Sequence, residues 1–164
     1  MSKKRHSYES GHSPKFMVVI DDTPECDRAL YFASRRALRI GATVIMLHVI
    51  ETHDRNQQWL GVADIMRAEA HEEANAVLDR HAARSSSITG VQPERVIREG
   101  EKAAEVLKLI DEDEDIAALI LAAGAGKEGP GPMVSSLIRT AGTFPIPVAL
   151  VPGSLSDEDL DSMT

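Results

Sequence analysis

Cysteine, aromatic residues and long hydrophobic runs are all scarce in this chain of 164 residues, which carries one Cys, three Phe, two Tyr and one Trp. With Cys26 alone, an intrachain disulfide framework and a multi-cysteine zinc site are both excluded, which fits a reducing compartment. No hydrophobic run approaches the roughly 18–20 residues that a membrane-spanning helix needs. The basic start is not followed by an apolar stretch, so we predict no secretory signal. We therefore expect a soluble cytoplasmic protein that has no membrane partner.

Basic residues are also in the minority. The 18 Lys and Arg residues are outnumbered by 26 Asp and Glu residues, which gives a formal net charge of −8. Contacts to phosphate backbones need a basic face, so we expect no nucleic-acid partner. Hydrophobic residues make up 43% of the chain, which is enough for an aliphatic core and excludes wholesale disorder.

The two ends of the chain differ from its middle in composition. Residues 1–15 are polar and begin with a cluster of basic residues, which predicts a disordered basic tail. Residues 154–164 carry four carboxylates and few apolar side chains, which predicts an acidic tail. Residues 16–153 remain as one folded domain.

Short apolar runs alternate with segments of helical periodicity throughout this domain. The five predicted strands are Phe16–Ile20, Ala42–Ile50, Val91–Glu99, Ala117–Ala123 and Pro147–Val151. A polar connection is predicted from Glu51 to about Gln58, and a second loop from Arg84 to Gly90. Buried strands that alternate with amphipathic helices predict an α/β fold, an open parallel sheet with helices on both faces.

A glycine-rich segment follows the fourth predicted strand. Four glycines lie within residues 124–131, and Ser135 and Ser136 stand where we expect the next helix to start. Backbone N–H groups and the positive end of a helix suit an anion, and Lys127 could add a charge. The segment matches Gly-x-Gly-x-x-Gly, but not after the first strand, where the dinucleotide motif belongs. It is therefore either a phosphate site or a plain connection.

Two carboxylates follow the first strand. In open parallel sheets, ligands bind beyond the carboxyl ends of the strands, where Asp21 and Asp22 lie. They could bind a ribose hydroxyl or Mg²⁺ beside a phosphate, or they could cap the helix for which Thr23 is the expected N-cap. His48 lies within a buried strand and is interpreted as a core histidine. No hydrolytic constellation is apparent.

Four segments, in this order, resemble the universal stress protein family. They are Val18–Glu25, His48-Val49, Leu119–Gly126 and Pro145–Pro152. The resemblance extends over residues 16 to 153. It implies a five-stranded parallel sheet of strand order 3-2-1-4-5 and a homodimer formed through the last strand.

The resemblance also implies roles for individual residues. In the ATP-binding members of the family, an aspartate that matches Asp21 contacts the nucleotide, and a residue that matches Val49 holds the adenine through its backbone. Their phosphate loop is Gly-x2-Gly-x9-Gly-Ser/Thr. Here Ala123 replaces the first glycine, Gly126 matches the second, and the final pair is Ser135-Ser136, one residue early.

We therefore expect a stress-response sensor or regulator that binds ATP or AMP, with or without Mg²⁺. The expected nucleotide-binding residues are Asp21, Asp22, Thr23, Val49, Ala123, Gly124, Gly126, Lys127, Ser135 and Ser136. The alternative is a homodimeric interaction module of the same fold that binds no nucleotide and contacts an unidentified protein partner. Catalysis beyond a slow ATPase is not expected, because the sequence supplies no evident water-activating group other than Asp21.

Overall fold

The structure is a computed structural model that describes residues 4–51 and 60–164. The elements in chain order are β1 (Lys15–Val19), α1 (Cys26–Ile40), β2 (Thr43–Glu51), α2 (Leu60–Thr89), β3 (Glu94–Gly100), α3 (Lys102–Glu112), β4 (Ile116–Ala123), α4 (Pro132–Thr140), a 3-10 turn (Ala141–Thr143), β5 (Val148–Pro152) and α5 (Asp157–Met163). Beyond Glu51, the predicted polar connection lies outside the described residues.

The five strands form one parallel sheet in the order β3-β2-β1-β4-β5. Phe16 in β1 is paired with Val44 in β2 and with Ala118 in β4, so the first strand lies at the centre. The predicted architecture and strand order are confirmed. The physical reason is that short apolar runs can be buried only where helices cover both faces of a sheet.

The core has two layers, one on each face of the sheet. Phe16 and Val18 pack toward α1, α2 and α5, whereas Met17 and Val19 pack toward α3 and α4. This division follows from the two-residue period of side chains along a strand. The carboxyl ends of all five strands consequently meet at one edge of the sheet, between the two helical layers.

The start of α1 differs from its prediction. The helix begins at Cys26, and Thr23 does not cap it; the N-cap residue is Glu25, whose side chain makes no capping hydrogen bond. The backbone N–H of Thr23 instead donates to Oδ1 of Asp21 at 2.9 Å, which is a local turn of the kind that aspartate favours. The turn makes residues 21–25 a connection rather than the first turn of a helix.

Helix α2 is longer than predicted and includes most of the expected loop from Arg84 to Gly90. Ser85 is 1% exposed, and its hydroxyl is hydrogen bonded to that of Ser34 in α1 at 2.8 Å. This buried polar contact between two helices outweighs the weak helix propensity of a serine-rich stretch. In the described ranges, no helix is both long and apolar enough to cross a membrane.

The N-terminal segment, residues 4–14, lies against the junction of α3 and β4 rather than forming a free tail. Arg5 donates to the carbonyl oxygens of Ile110 at 2.6 Å and Asp113 at 3.0 Å, which belong to the last turn of α3 and its C-cap. The backbone N–H of His6 donates to the carbonyl of Glu114 at 3.1 Å. Composition predicted a solvated segment because it does not reveal these acceptors.

The C-terminal segment, residues 154–164, also differs from the expected tail, because it contains α5. Ser156 and Asp159 form a reciprocal capping box at the start of α5, and Leu160 is fully buried against the core. The chain reaches this helix through Gly153, where a Cβ atom would lie 2.7 Å from the carbonyl oxygen of Ala123. Only glycine fits so close to β4.

Candidate functional site

Asp21 and Asp22 lie at the carboxyl end of β1, beside the longer β2. The pairing of β1 with β2 ends at Val19 and Leu47, whereas β2 continues beside β3 as far as Glu51. Past the end of β1, the other edge of β2 therefore opens toward the connection that carries the two aspartates. Such a step between neighbouring parallel strands is where open α/β sheets bind ligands.

The side chain of His48 in β2 contacts the backbone just beyond the end of β1. Its Nδ1 atom lies 2.8 Å from the carbonyl oxygen of Ile20, the residue that precedes Asp21. The ring therefore donates from Nδ1 to the carbonyl and fixes the path of the chain beyond β1. The role is structural, as the sequence predicts for a core histidine.

Two cavities open at this edge and share three lining residues, Asp21, Asp22 and Lys102. The first cavity, of about 260 Å³, is lined by Ile20, Asp21, Asp22, His48, Val49, Ile50, Glu51, Ala70, Glu73, Ala74, Val77 and Lys102. The second, of about 280 Å³, is lined by Val19, Asp21, Asp22, Thr23, Glu25, Cys26, Ala29, Lys102, Leu121, Ala122, Pro130, Gly131, Pro132, Met133 and Val134. The two cavities therefore border the same three residues.

Val49 lines the first cavity, as its predicted contact with a base requires. Its side chain is 6% exposed and belongs to the core layer on the side of α3 and α4. A polar ligand group at this position would therefore meet the backbone of the strand rather than the isopropyl group.

Asp21 is held in place by Thr23. Its Oδ1 atom accepts hydrogen bonds from the backbone N–H of Thr23 at 2.9 Å and from the hydroxyl of Thr23 at 2.5 Å. Asp21 is half-buried, whereas Asp22 and Thr23 are exposed. The turn orients the carboxylate of Asp21 at the junction of the two cavities, which suits hydrogen bonding to a diol.

Three glycines of the loop border a third cavity, whereas Pro130 and Gly131 at the end of the loop line the second. Gly124, Gly126 and Gly129 line a loop cavity of about 630 Å³ together with Glu25 and Arg28. The backbone N–H of Gly124 donates to Pro130 at 3.1 Å, and that of Gly129 donates to Gly126 at 3.2 Å. Two of the N–H groups expected to face a phosphate are therefore used within the loop itself.

Lys127, Ser135 and Ser136 are exposed and line neither of the two cavities that share Asp21. Helix α4 begins at Pro132, so the serines are its fourth and fifth residues. The backbone N–H of Ser135 donates to Gly131 at 3.0 Å within the first turn. The start of this helix thus lies three residues before the position that the family motif indicates, and Ala123 lines neither cavity either.

Backbone N–H groups at the start of α4 are not used by the helix itself. Pro132 occupies the first helical position and has no N–H. The N–H groups of Met133 and Val134 have no acceptor among the residues that the structure describes, and both residues line the second cavity. These two groups can bind an anion there.

Cys26 also lines the second cavity, but its thiol is not reactive. Burial raises its pKa to about 12, and the Sγ–H group lies 3.6 Å from the carbonyl oxygen of Val19. Nucleophilic chemistry needs the thiolate. Over residues 4–51 and 60–164, no group of three or more His, Cys, Asp or Glu side chains is arranged to hold a metal ion.

The sequence analysis missed Lys102, which lines both cavities as the first residue of α3. The signal was available, because Lys102 follows the third strand just as Asp21 follows the first.

These features define an open parallel α/β protein with a composite cavity at the carboxyl edge of its sheet. A family model for the universal stress protein family matches residues 13–152, so the chain belongs to that family. Comparison with curated proteins gives no match.

Solved structures of the family share the fold. UspA from Lactobacillus plantarum aligns with a TM-score of 0.66 at 16% identity, over 84% of this chain and 97% of that one. A universal stress protein from Archaeoglobus fulgidus in complex with dAMP has a TM-score of 0.57 at 19% identity, over 84% and 96%. One in complex with cAMP has a TM-score of 0.60 at 16% identity, over 86% and 98%.

Proposed function

We propose that this protein binds an adenine nucleotide in the two joined cavities and acts as a cytoplasmic stress-response sensor or regulator. The observation that carries the proposal is that both cavities meet at Asp21, at the end of the central strand. Two structural relatives carry dAMP and cAMP, which supports an adenine nucleotide as the ligand class.

The base occupies the first cavity in this proposal. There it meets the backbone of β2 at Val49 and the side of α2 at Ala70 and Ala74. Carbonyl and N–H groups at the open edge of a strand can pair with the ring nitrogens and amino group of adenine. The ribose then lies beside Asp21, whose carboxylate accepts hydrogen bonds from the ribose hydroxyls.

The phosphate enters the second cavity. Met133 and Val134 of α4 line this cavity, and their unused N–H groups and the positive end of the helix favour an anion there. This arrangement assigns no phosphate contact to Gly126, Lys127 or the two serines of α4. Mg²⁺ would take most of its ligands from phosphate and water, with Asp21 and Asp22 as the nearest carboxylates.

The binding experiment is calorimetric titration of the full chain with AMP and with ATP, with and without Mg²⁺. We expect saturable heat and thermal stabilisation with at least one nucleotide. Asp21→Asn should weaken binding about tenfold or more, since a charge-assisted hydrogen bond is lost. Asp64→Asn, an exposed aspartate of α2, serves as the matched control. No heat and no stabilisation at millimolar nucleotide would reject the proposal.

A second variant tests the position of the base. Ala70→Trp should fill the first cavity and abolish binding, because Ala70 is half-buried and lines it. Ala68→Trp places the same side chain on the same helix at an exposed position and should leave affinity unchanged. Equal nucleotide affinity in the two variants would show that the base does not bind in the first cavity.

A homodimeric interaction module is the second candidate, and the edge strand β5 favours it. Leu150 of β5 is 44% exposed and Ile138 of α4 is 61% exposed, although both are large hydrophobic residues. Apolar edge strands are normally covered. Sedimentation of the nucleotide-free protein should show a dimer, and Leu150→Lys should yield the monomer. A wild-type monomer at micromolar concentration would contradict it.

A further inference from the structure

The charges around the two cavities are unequal. Among their described lining residues, the carboxylates are Asp21, Asp22, Glu25, Glu51 and Glu73. The single ammonium group is that of Lys102, which lines both cavities. Each added phosphate on a ligand would bring further negative charge toward these carboxylates.

The ammonium group of Lys102 is available to bind a ligand, because it is not engaged by the described part of the protein. Lys102 is half-buried at the start of α3, and it forms no ion pair or hydrogen bond with any residue in the described ranges. Other cations near this edge are engaged or distant: Arg28 is paired with Asp27 and Asp157, and Lys127 lines neither cavity.

The phosphate donors in the second cavity are also few. Pro132 supplies no N–H, and that of Ser135 is used inside the helix, which leaves, among the described residues at this helix start, those of Gly131, Met133 and Val134. Three N–H groups and one ammonium group can satisfy a single phosphate. A chain of three phosphates would extend toward the loop, where Oε1 of Glu25 lies 3.0 Å from the position that a Cβ atom on Gly124 would take.

From these observations we propose that Lys102 makes the site selective for a singly phosphorylated adenine nucleotide over a triphosphate. This inference rests on the proposed function and assigns its ligand class. Lys102 binds the one phosphate as a point charge, while the surrounding carboxylates disfavour additional phosphates. Mg²⁺ reduces the repulsion by neutralising a polyphosphate, so it should improve the binding of ATP more than that of AMP.

The test is titration of the full chain with adenosine, AMP and ATP in the absence of Mg²⁺. We expect AMP to bind about tenfold more tightly than adenosine and than ATP, as one charge-assisted contact provides. Lys102→Met should lower AMP affinity toward that of adenosine, because only backbone N–H groups then contact the phosphate, and should leave adenosine affinity unchanged. Lys127→Met is the matched control and should change neither affinity.

Each outcome bears on a distinct claim. ATP binding as tightly as AMP, or an unchanged AMP affinity in Lys102→Met, would overturn the assignment of Lys102 and leave the proposed function intact. If adenosine, AMP and ATP all fail to bind, the proposed function falls and the assignment with it. Loss of adenosine binding in Lys102→Met would show a structural role for Lys102 and would also overturn the assignment.

Discussion

The two terminal segments of the chain dock on different helices by opposite charge patterns. Residues 4–14 bring Arg5 and His12 to the carbonyl groups and the acidic residues at the end of α3, whereas residues 154–164 bring aspartates to arginines on α1 and α2. They differ in hydrophobic content, because the C-terminal segment buries Leu160 completely while Tyr8 in the N-terminal segment is 70% exposed. We therefore expect the C-terminal segment to contribute more to stability.

The arginines that form ion pairs with the C-terminal segment also contact an aromatic ring. The guanidinium groups of Arg28 and Arg84 lie 5.5 Å and 4.9 Å from the ring centroid of Tyr31. Both contact Asp27 and Asp157, and the hydroxyl of Tyr31 donates to Asp161 at 2.6 Å. A network of this kind fixes orientation more than it adds stability, because its members are partly exposed.

The largest expected effect is that of Leu160→Ala. Removing a fully buried leucine side chain should lower the free energy of unfolding by about 2–5 kcal/mol. Met163→Ala, on the same helix but 57% exposed, should change it by less than about 0.5 kcal/mol. Chemical denaturation measures both. Equal values would mean that α5 does not pack on the core.

Arg84→Ala should have a smaller effect, about 1 kcal/mol at neutral pH, because its ion pairs are partly exposed. Hydrogen bonds from Arg28 and Arg84 hold the pKa of Asp157 below its ordinary value of 3.8, against a smaller effect of burial. The stabilisation is therefore complete above the ordinary aspartate pKa and is lost as pH falls through the lowered value.

The difference between wild type and Arg84→Ala should accordingly vanish in strong acid. Unfolding at a series of pH values measures it. Arg80→Ala, an exposed arginine of the same helix, is the control and should show little difference at any pH. A difference that persists in strong acid would assign the contribution to packing on Tyr31 instead of charge.

For the N-terminal segment, Arg5→Ala should cost about 1 kcal/mol, because two partly exposed hydrogen bonds to the end of α3 are lost. Hydrogen exchange of residues 4–14 should also become faster. Lys4→Ala is the control, since the Lys4 side chain is 80% exposed and lies 3.9 Å from Glu9. Unchanged exchange in Arg5→Ala would show that other contacts hold the segment.

The smallest effect is the pH dependence of this segment. The hydrogen bond to Asp115 raises the pKa of His12 above its ordinary 6.5, and the charges of Asp115, Glu114 and Glu9 act in the same direction. The contribution of this contact to the stability of the fold is complete below pH 6.5 and is lost as pH rises through the raised pKa of His12. This pH dependence is opposite in direction to that of Asp157. NMR titration should show a raised His12 pKa that Asp115→Asn lowers. An unchanged pKa in the variant would refute the contact.

Much of the fold could be predicted because its signals are local. The run Phe16–Ile20 is apolar at every position, which only a strand covered on both faces requires. The terminal segments could not be predicted in the same way. Each is stabilised by polar contacts between residues more than 100 positions apart in the sequence, such as Arg5 with the backbone carbonyl of Asp113 and Arg28 with the carboxylate of Asp157.

Near the ends of β1 and β2, the place of a candidate residue in the fold could be predicted from the sequence, whereas its role in binding stays a prediction. The structure places Asp21 and Val49 at the same cavity, because the strand ends fix them. It separates them from Gly126 and Ser136, whose positions depend on where α4 begins. A loop rich in glycine and proline has many allowed paths, and the sequence does not distinguish among them.

The backbone at Gly153 leaves β5 so near to Ala123 that a single methyl group would have to push the two strand ends apart. The direction of the following segment is thereby set at one position. When other family members are aligned with this chain, a larger residue there should indicate that whatever follows the last strand runs along a different route. We then expect a helix packed on α1 in the manner of α5 only in those family members that keep the glycine.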